Sequence, residues 1–191
     1  MVAGSSPVRF ASSFRLNASH SKDSTVARRS EHSLAEIKTM VLNSAASIIA
    51  DEGFNALTIR KIAMEMGYTV GSVYMVFESR ADIVLHLNAQ TLDEISTELA
   101  EVSDLTTWLK HYIAYINSHS ERWYMVFNPN SIDLPDWYQA HQNHLFQQFA
   151  VFFKLPETEI LVLWQALHGI CLLSDADNRE TSVLSLFNLI K

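Results

Sequence analysis

His141, His144 and His168, with Cys171 one helical turn beyond the last of them, are the side chains best suited to hold a metal or attack a substrate. His141 and His144 are three residues apart and share one face of any helix that carries them, and three imidazoles are a sufficient donor set for Zn²⁺. The plainer reading is preferred: two histidines on a wet surface, one packed histidine and a buried, inert thiol. A single cysteine closes no internal disulfide and is too few for a thiolate zinc site. No glycine-rich phosphate loop, nucleophile elbow, metalloprotease helix or carboxylate pair at a working spacing stands out. Neither a cofactor nor an enzymatic activity is expected.

The elements that would position these residues are helical. The chain has 191 residues, 48% of them hydrophobic and 18% charged, with only five glycines and four prolines. That composition can bury a substantial core and excludes a linker-rich or collagen-like chain. Apolar residues recur at helical spacing and period-two alternation is missing, so the expected class is all-α with about nine helices. Ser33 and Glu36 are spaced as a capping box, after which Ile37, Val41, Ala45 and Ile48 recur until Gly53 stops the helix. Thr58 is the expected cap of a short second helix with Ile59, Ile62, Ala63 and Met66 on one face. Gly67 ends that helix, and a third begins near Val70, burying Val73 and Phe77. Ser79 with Asp82 forms another capping box, opening a fourth helix that reaches about Val102. Further helices are expected over 105–118, 121–127, 135–154, 156–174 and 179–190. Asn128-Pro129-Asn130 breaks the series, and Pro135 and Pro156 suit first turns.

The net charge of −7 is unevenly distributed. Residues 1–88 carry nine Lys/Arg against eight Asp/Glu, and residues 89–191 carry five against thirteen. Phosphate binding depends on local cations, so the acidic total neither shows nor excludes DNA as a partner. Residues 1–31 are serine-rich and basic, with Arg28 and Arg29 at their end, and are expected to be a disordered arm. They contain no apolar core of a secretory signal. The longest apolar run, 160–173, is interrupted by Gln165 and His168 and is too short to cross a bilayer. No membrane partner and a reducing cytoplasm are expected.

The informative stretch is Gly53 to Asp82, GFNALTIRKIAMEMGYTVGSVYMVFESRAD. Two short helices joined by a three-residue turn containing glycine make a helix-turn-helix, whose second helix enters the major groove. Ile62, Ala63, Met66, Val73 and Phe77 supply the small core that sets the angle between them. Gly67 provides the sharp exit, and Gly71 leaves backbone bare where DNA would approach. This stretch resembles the DNA-binding domain of the TetR family of bacterial transcriptional regulators. The resemblance rests on Gly53-Phe54, Thr58, Ile62-Ala63, Gly67, Gly71-Ser72-Val73-Tyr74, Phe77 and Ser79-Arg80, within about 50 residues. A second resemblance, to the subtype with a Trp…His-Gly ligand domain, rests on Trp164, His168 and Gly169, with residues 122–127 upstream.

The resemblance implies three parts: an arm at 1–31, a helix-turn-helix domain at 32–80, and a helical effector-binding and dimerisation domain at 81–191. It implies a regulator, expected to be a repressor, that binds a palindromic double-stranded DNA operator as a homodimer. A small apolar or aromatic effector would release it. Thr58, Tyr74 and Arg80 would contact phosphate. Arg60 would reach the groove edge, and Thr69, Val70, Gly71 and Ser72 would stand at the base-reading end of the recognition helix. Trp108, Tyr112, Trp123 and Trp137 would line the effector site. Leu163, Leu167, Gly169, Ile170, Val183, Leu186 and Phe187 would form the dimer interface. Two departures matter. Met75 and Val76 occupy positions where the family commonly carries polar or aromatic groups, and Tyr68 replaces a small aliphatic turn residue. Specificity is therefore expected to lean on thymine methyls, through Val70 or Val76, and on DNA shape. The same departures support the alternative of a small-molecule- or partner-binding helical protein with a decayed DNA-reading surface.

Overall fold

The computed structural model describes residues 32–126 and 134–189; the expected arm at 1–31 and the Asn128-Pro129-Asn130 break lie outside them. The fold is all-α, with nine α-helices and no strand among the described residues. Local chemistry accounts for most helix ends. The capping box at α1 (Leu34–Glu52) is complete, with the Ser33 hydroxyl accepting the Glu36 N–H and the Glu36 carboxylate accepting the Ser33 N–H. A 3₁₀ turn, Phe54–Ala56, leads to α2 (Ile59–Glu65), α3 (Val70–Tyr74) and α4 (Arg80–Leu99). The box at α4 is displaced. Ser79 Oγ accepts the Asp82 N–H at 3.1 Å, but the Asp82 carboxylate accepts from Glu78 N–H at 3.0 Å, one residue upstream of the expected partner.

The acidic half follows as α5 (Leu105–Ser118), α6 (Ser120–Val126), α7 (Asp136–Phe153), α8 (Glu157–Leu173) and α9 (Arg179–Leu189). Asp104 caps α5 by accepting the Thr107 N–H at 2.9 Å. Pro135 and Pro156 stand just before α7 and α8, where a missing N–H costs nothing. No described helix is long and apolar enough to cross a membrane.

Two hydrophobic cores form, and α4 belongs to both. The first gathers Ile37, Val41, Ile48, Ile62, Val73 and Phe77 with Ile83 and Leu87 of α4. The second gathers Leu92, Ile95 and Leu99 of α4 with Trp108, Tyr112, Tyr138, Phe149 and Leu167. At 20 residues α4 is about 30 Å long, enough to bridge them. The first core thus runs past residue 80 into α4 and takes in Met125 of α6. Where the cores meet, the Nδ2 of buried Asn88 donates to the Met125 carbonyl at 3.1 Å, which satisfies the nitrogen end of an amide that is costly to bury.

On α8 and α9 the structure corrects the choice of surface. Leu163, Leu167, Val183 and Phe187 are buried in the chain's own second core, while Ile170 and Leu186 pack against its edge. The exposed apolar side chains are instead Leu161, Val162, Leu172 and Leu173 on α8 and Leu184 and Leu189 on α9. The α8 sequence is apolar on nearly every side, so its periodicity does not say which stripe faces inward.

Candidate nucleic-acid interface

The geometry of the α2–turn–α3 unit follows from four residues. Thr58 Oγ1 accepts the Lys61 N–H at 3.1 Å and starts α2. Gly67 takes φ 71°, a left-handed conformation that favours glycine. Its N–H reaches the Met64 carbonyl at 3.1 Å and the Tyr68 N–H reaches the Ala63 carbonyl at 2.9 Å, a Schellman closure that satisfies the last carbonyls of the helix. Thr69 then caps α3, accepting the Ser72 N–H at 3.2 Å, and its hydroxyl also lies 3.0 Å from Ser72 Oγ. Buried Val73 and Phe77 hold α3 against the first core.

The outward side of this unit carries most of the expected DNA-binding residues. Thr58 and Arg60 are exposed at the start of α2, and Thr69, Val70, Gly71 and Tyr74 are exposed on α3; Ser72 is half-buried. Lys61 is committed to an ion pair with Glu52. Val76 is half-buried against the first core, so its expected contact with thymine is withdrawn. Met75 holds the exposed place instead, because its neighbours Val73, Val76 and Phe77 take the inward face. Met64 of α2, four residues from Arg60, is also exposed.

Arg80 is turned inward. Its Nη2 donates to the Phe54 carbonyl at 3.0 Å, and its guanidinium stands 4.4 Å from the centre of the Phe54 ring. The side chain thereby ties the start of α4 to the turn that precedes α2. A second tie escaped sequence reasoning. Lys38 of α1 lies 2.9 Å from His86 Nε2 of α4, and His86 packs against Phe77 and against Trp137 of α7. Nothing local marks these residues, which are 48 positions apart.

Of the four expected effector residues, Trp108, Tyr112 and Trp123 are buried in the second core and Trp137 is not among them. Trp108 stacks on Tyr112 with ring centres 5.0 Å apart and meets Phe149 and Phe153 edge-on. Trp123 lies 4.2 Å from His168. Burial raises the Tyr112 hydroxyl well above its ordinary range and lowers His168 to about 4. Beside this core a groove of about 960 Å³ runs between α1, α4, α5 and α6. Across it Arg122 Nη2 donates to Glu94 at 2.9 Å, and the Tyr115 hydroxyl donates to the other Glu94 oxygen at 2.7 Å.

The histidines are dispersed. His141 pairs with Asp93 at 2.7 Å, His144 is exposed, and His168 packs in the bundle. No group of three metal-ligating side chains comes together among the described residues. Cys171 is fully buried, and burial raises its thiol to about 11, which keeps it protonated.

The fold is shared with solved structures. A protein of unknown function from Rhodococcus sp. RHA1 is 15% identical, with a TM-score of 0.66 over 84% of this chain and 96% of that one. The TetR family transcriptional regulator PfmR from Thermus thermophilus is 13% identical, with a TM-score of 0.57 over 76% and 93%. A TetR-family transcriptional regulator from Streptomyces coelicolor is 17% identical, with a TM-score of 0.52 over 71% and 80%. No curated protein matches the chain by sequence. Residues 41–87, the stretch from α1 to Leu87 that encloses the helix-turn-helix, match the family model of bacterial regulatory proteins, tetR family. Residues 41–87 thus carry the DNA-binding segment of the tetR family of bacterial regulatory proteins, and the described helices share the fold of solved tetR-family regulators.

Proposed function

We propose that the chain is a DNA-binding transcriptional regulator, a repressor that binds a palindromic operator as a homodimer and is released by a small apolar or aromatic effector. The observation that carries the reading is the exposed side of α2 and α3, where Thr58, Arg60, Thr69, Val70, Gly71 and Tyr74 stand free of the core that fixes the two helices. Thr58 and Tyr74 offer hydroxyls, and Arg60 a cation, to a duplex lying across these helices. Arg80 acts through Phe54, bracing the turn before α2 rather than standing in the groove.

Dimerisation is supported by the exposed leucines and valine of α8 and α9, more than isolated surface residues require. A two-fold axis through this face would pair each patch with itself and set two recognition helices on half-sites about 34–36 Å apart, or a multiple of that. At Gly169 an added β-carbon would meet nothing within 4 Å, so the middle of α8 leaves room for a close helix. The side chains around Trp108, Tyr112 and Trp123 are apolar and aromatic, so an effector that parted these helices would meet an apolar or aromatic lining rather than a charged one.

Selection from a random duplex pool by the full chain tests the reading. The expected product is a two-fold symmetric sequence bound by two chains. Failure to enrich any sequence at low salt would reject it in favour of a protein whose DNA-reading surface has decayed.

A further inference from the structure

We propose that Met75 and Val70 recognise the 5-methyl groups of thymines in the major groove, so that the operator half-site is read by apolar contact more than by hydrogen bonds. The inference rests on the function proposed above and names the base chemistry of that site.

The recognition helix is short of free polar groups. From Thr69 to Met75 it carries no charged side chain. Its two small hydroxyls are partly spent on each other and on the backbone, since Thr69 Oγ1 accepts the Ser72 N–H and lies 3.0 Å from Ser72 Oγ, which leaves one O–H between them. What remains at the surface is Val70, 39% exposed, Tyr74, and Met75, 63% exposed. Gly71 lies one turn before Met75. A β-carbon there would meet only Thr69 Oγ1, at 3.6 Å, so the backbone beside Met75 is bare and a base edge can come close. Of the four bases thymine alone presents a methyl group in the major groove, and an isopropyl group or a thioether matches it without leaving a donor unsatisfied. The unbranched methionine side chain can follow the position of that methyl as the duplex adjusts. The hydroxyl of Tyr74 on the same short helix, and Arg60 on the helix before it, favour a duplex over a protein partner for this surface.

The test takes the duplex selected by the full chain and resynthesises it with deoxyuridine at each thymine in turn, which removes one methyl and leaves the pairing edge intact. Binding should weaken about fourfold at one or two positions of each half-site, the weight of one buried methyl group. Met75→Ala and Val70→Ala should each bind the parent duplex more weakly and lose the uracil sensitivity at one of those positions. Both side chains are exposed, so these variants keep the fold. Met75→Gln should move the preference at its position towards adenine. Uracil duplexes bound as tightly as the parent would overturn the inference while leaving the proposed function standing. Uracil sensitivity that persisted unchanged in both alanine variants would overturn the assignment to these residues. A chain that selected no duplex would overturn both readings.

Discussion

The imidazole of His86 lies 4.4 Å from the indole of Trp137, ring centre to ring centre, and 5.1 Å from Phe77. Three rings therefore run from the end of the helix-turn-helix, through α4, to the first turn of α7. The histidine's hydrogen-bonding state follows from its neighbours. The Lys38 ammonium can only donate, so Nε2 at 2.9 Å accepts, and Nδ1 carries the proton towards the Asp82 carbonyl at 3.0 Å. Trp137→Ala is expected to cost about 1 kcal/mol, in the range of a partly exposed aromatic pair. Urea denaturation of Trp137→Ala, His86→Ala and the double variant should show non-additive losses. Strict additivity would mean that the ring contact contributes nothing.

Arg80 holds the other side of the motif. Arg80→Ala removes a charged hydrogen bond to Phe54 and a ring contact, and should destabilise the chain by about 1–3 kcal/mol. If bracing is its role, the salt dependence of DNA binding keeps its slope in the variant. A slope flatter by about one unit would show that the guanidinium contacts phosphate after all.

The two kinds of leucine on α8 should respond differently to charge. Leu173→Glu and Val162→Glu change exposed positions, so sedimentation equilibrium should find folded monomers. Leu167→Glu buries a carboxylate in the second core and should abolish folding, seen as lost helical circular dichroism. A Leu173→Glu, Val162→Glu chain that remained dimeric would exclude this face as the interface.

Stability should fall on mild acidification. Burial lowers His168 to about 4 from an ordinary 6.5, so between these values the unfolded chain binds more protons than the folded one. The contribution of His168 is complete above about pH 6.5 and is lost as pH drops towards about 4. From pH 6.5 to 5 the loss is about 1 kcal/mol, allowing for partial exposure. Urea midpoints for His168→Gln should be measurably less pH-dependent over this interval than those of the parent chain. An equal dependence would assign the effect to other histidines.

Cys171 should be a reporter of unfolding. Its thiol is fully buried and raised to about 11, so iodoacetamide at pH 8 should label the folded chain far more slowly than the chain in urea. Equal rates would indicate that α8 opens readily.

What the sequence determines by itself is local. The Ser33–Glu36 box, the Thr58 cap, the left-handed Gly67 and the proline before α8 act within a few residues, so helix ends were legible without any knowledge of packing. The helix-turn-helix was legible for the same reason, since its core residues lie within one short stretch. Tertiary structure alone decided matters that depend on distant partners. Arg80 turns inward because a carbonyl 26 residues upstream accepts from it. Trp137 leaves the aromatic core because His86 offers it a face on α4. On α8 an apolar residue is available in nearly every direction. Only the arrival of α5, α7 and α9 selects Leu163 and Leu167 as core and leaves Val162 and Leu173 in solvent. Periodicity fixes an angle around a helix axis, but which angle points inward is set by the neighbours that pack against it.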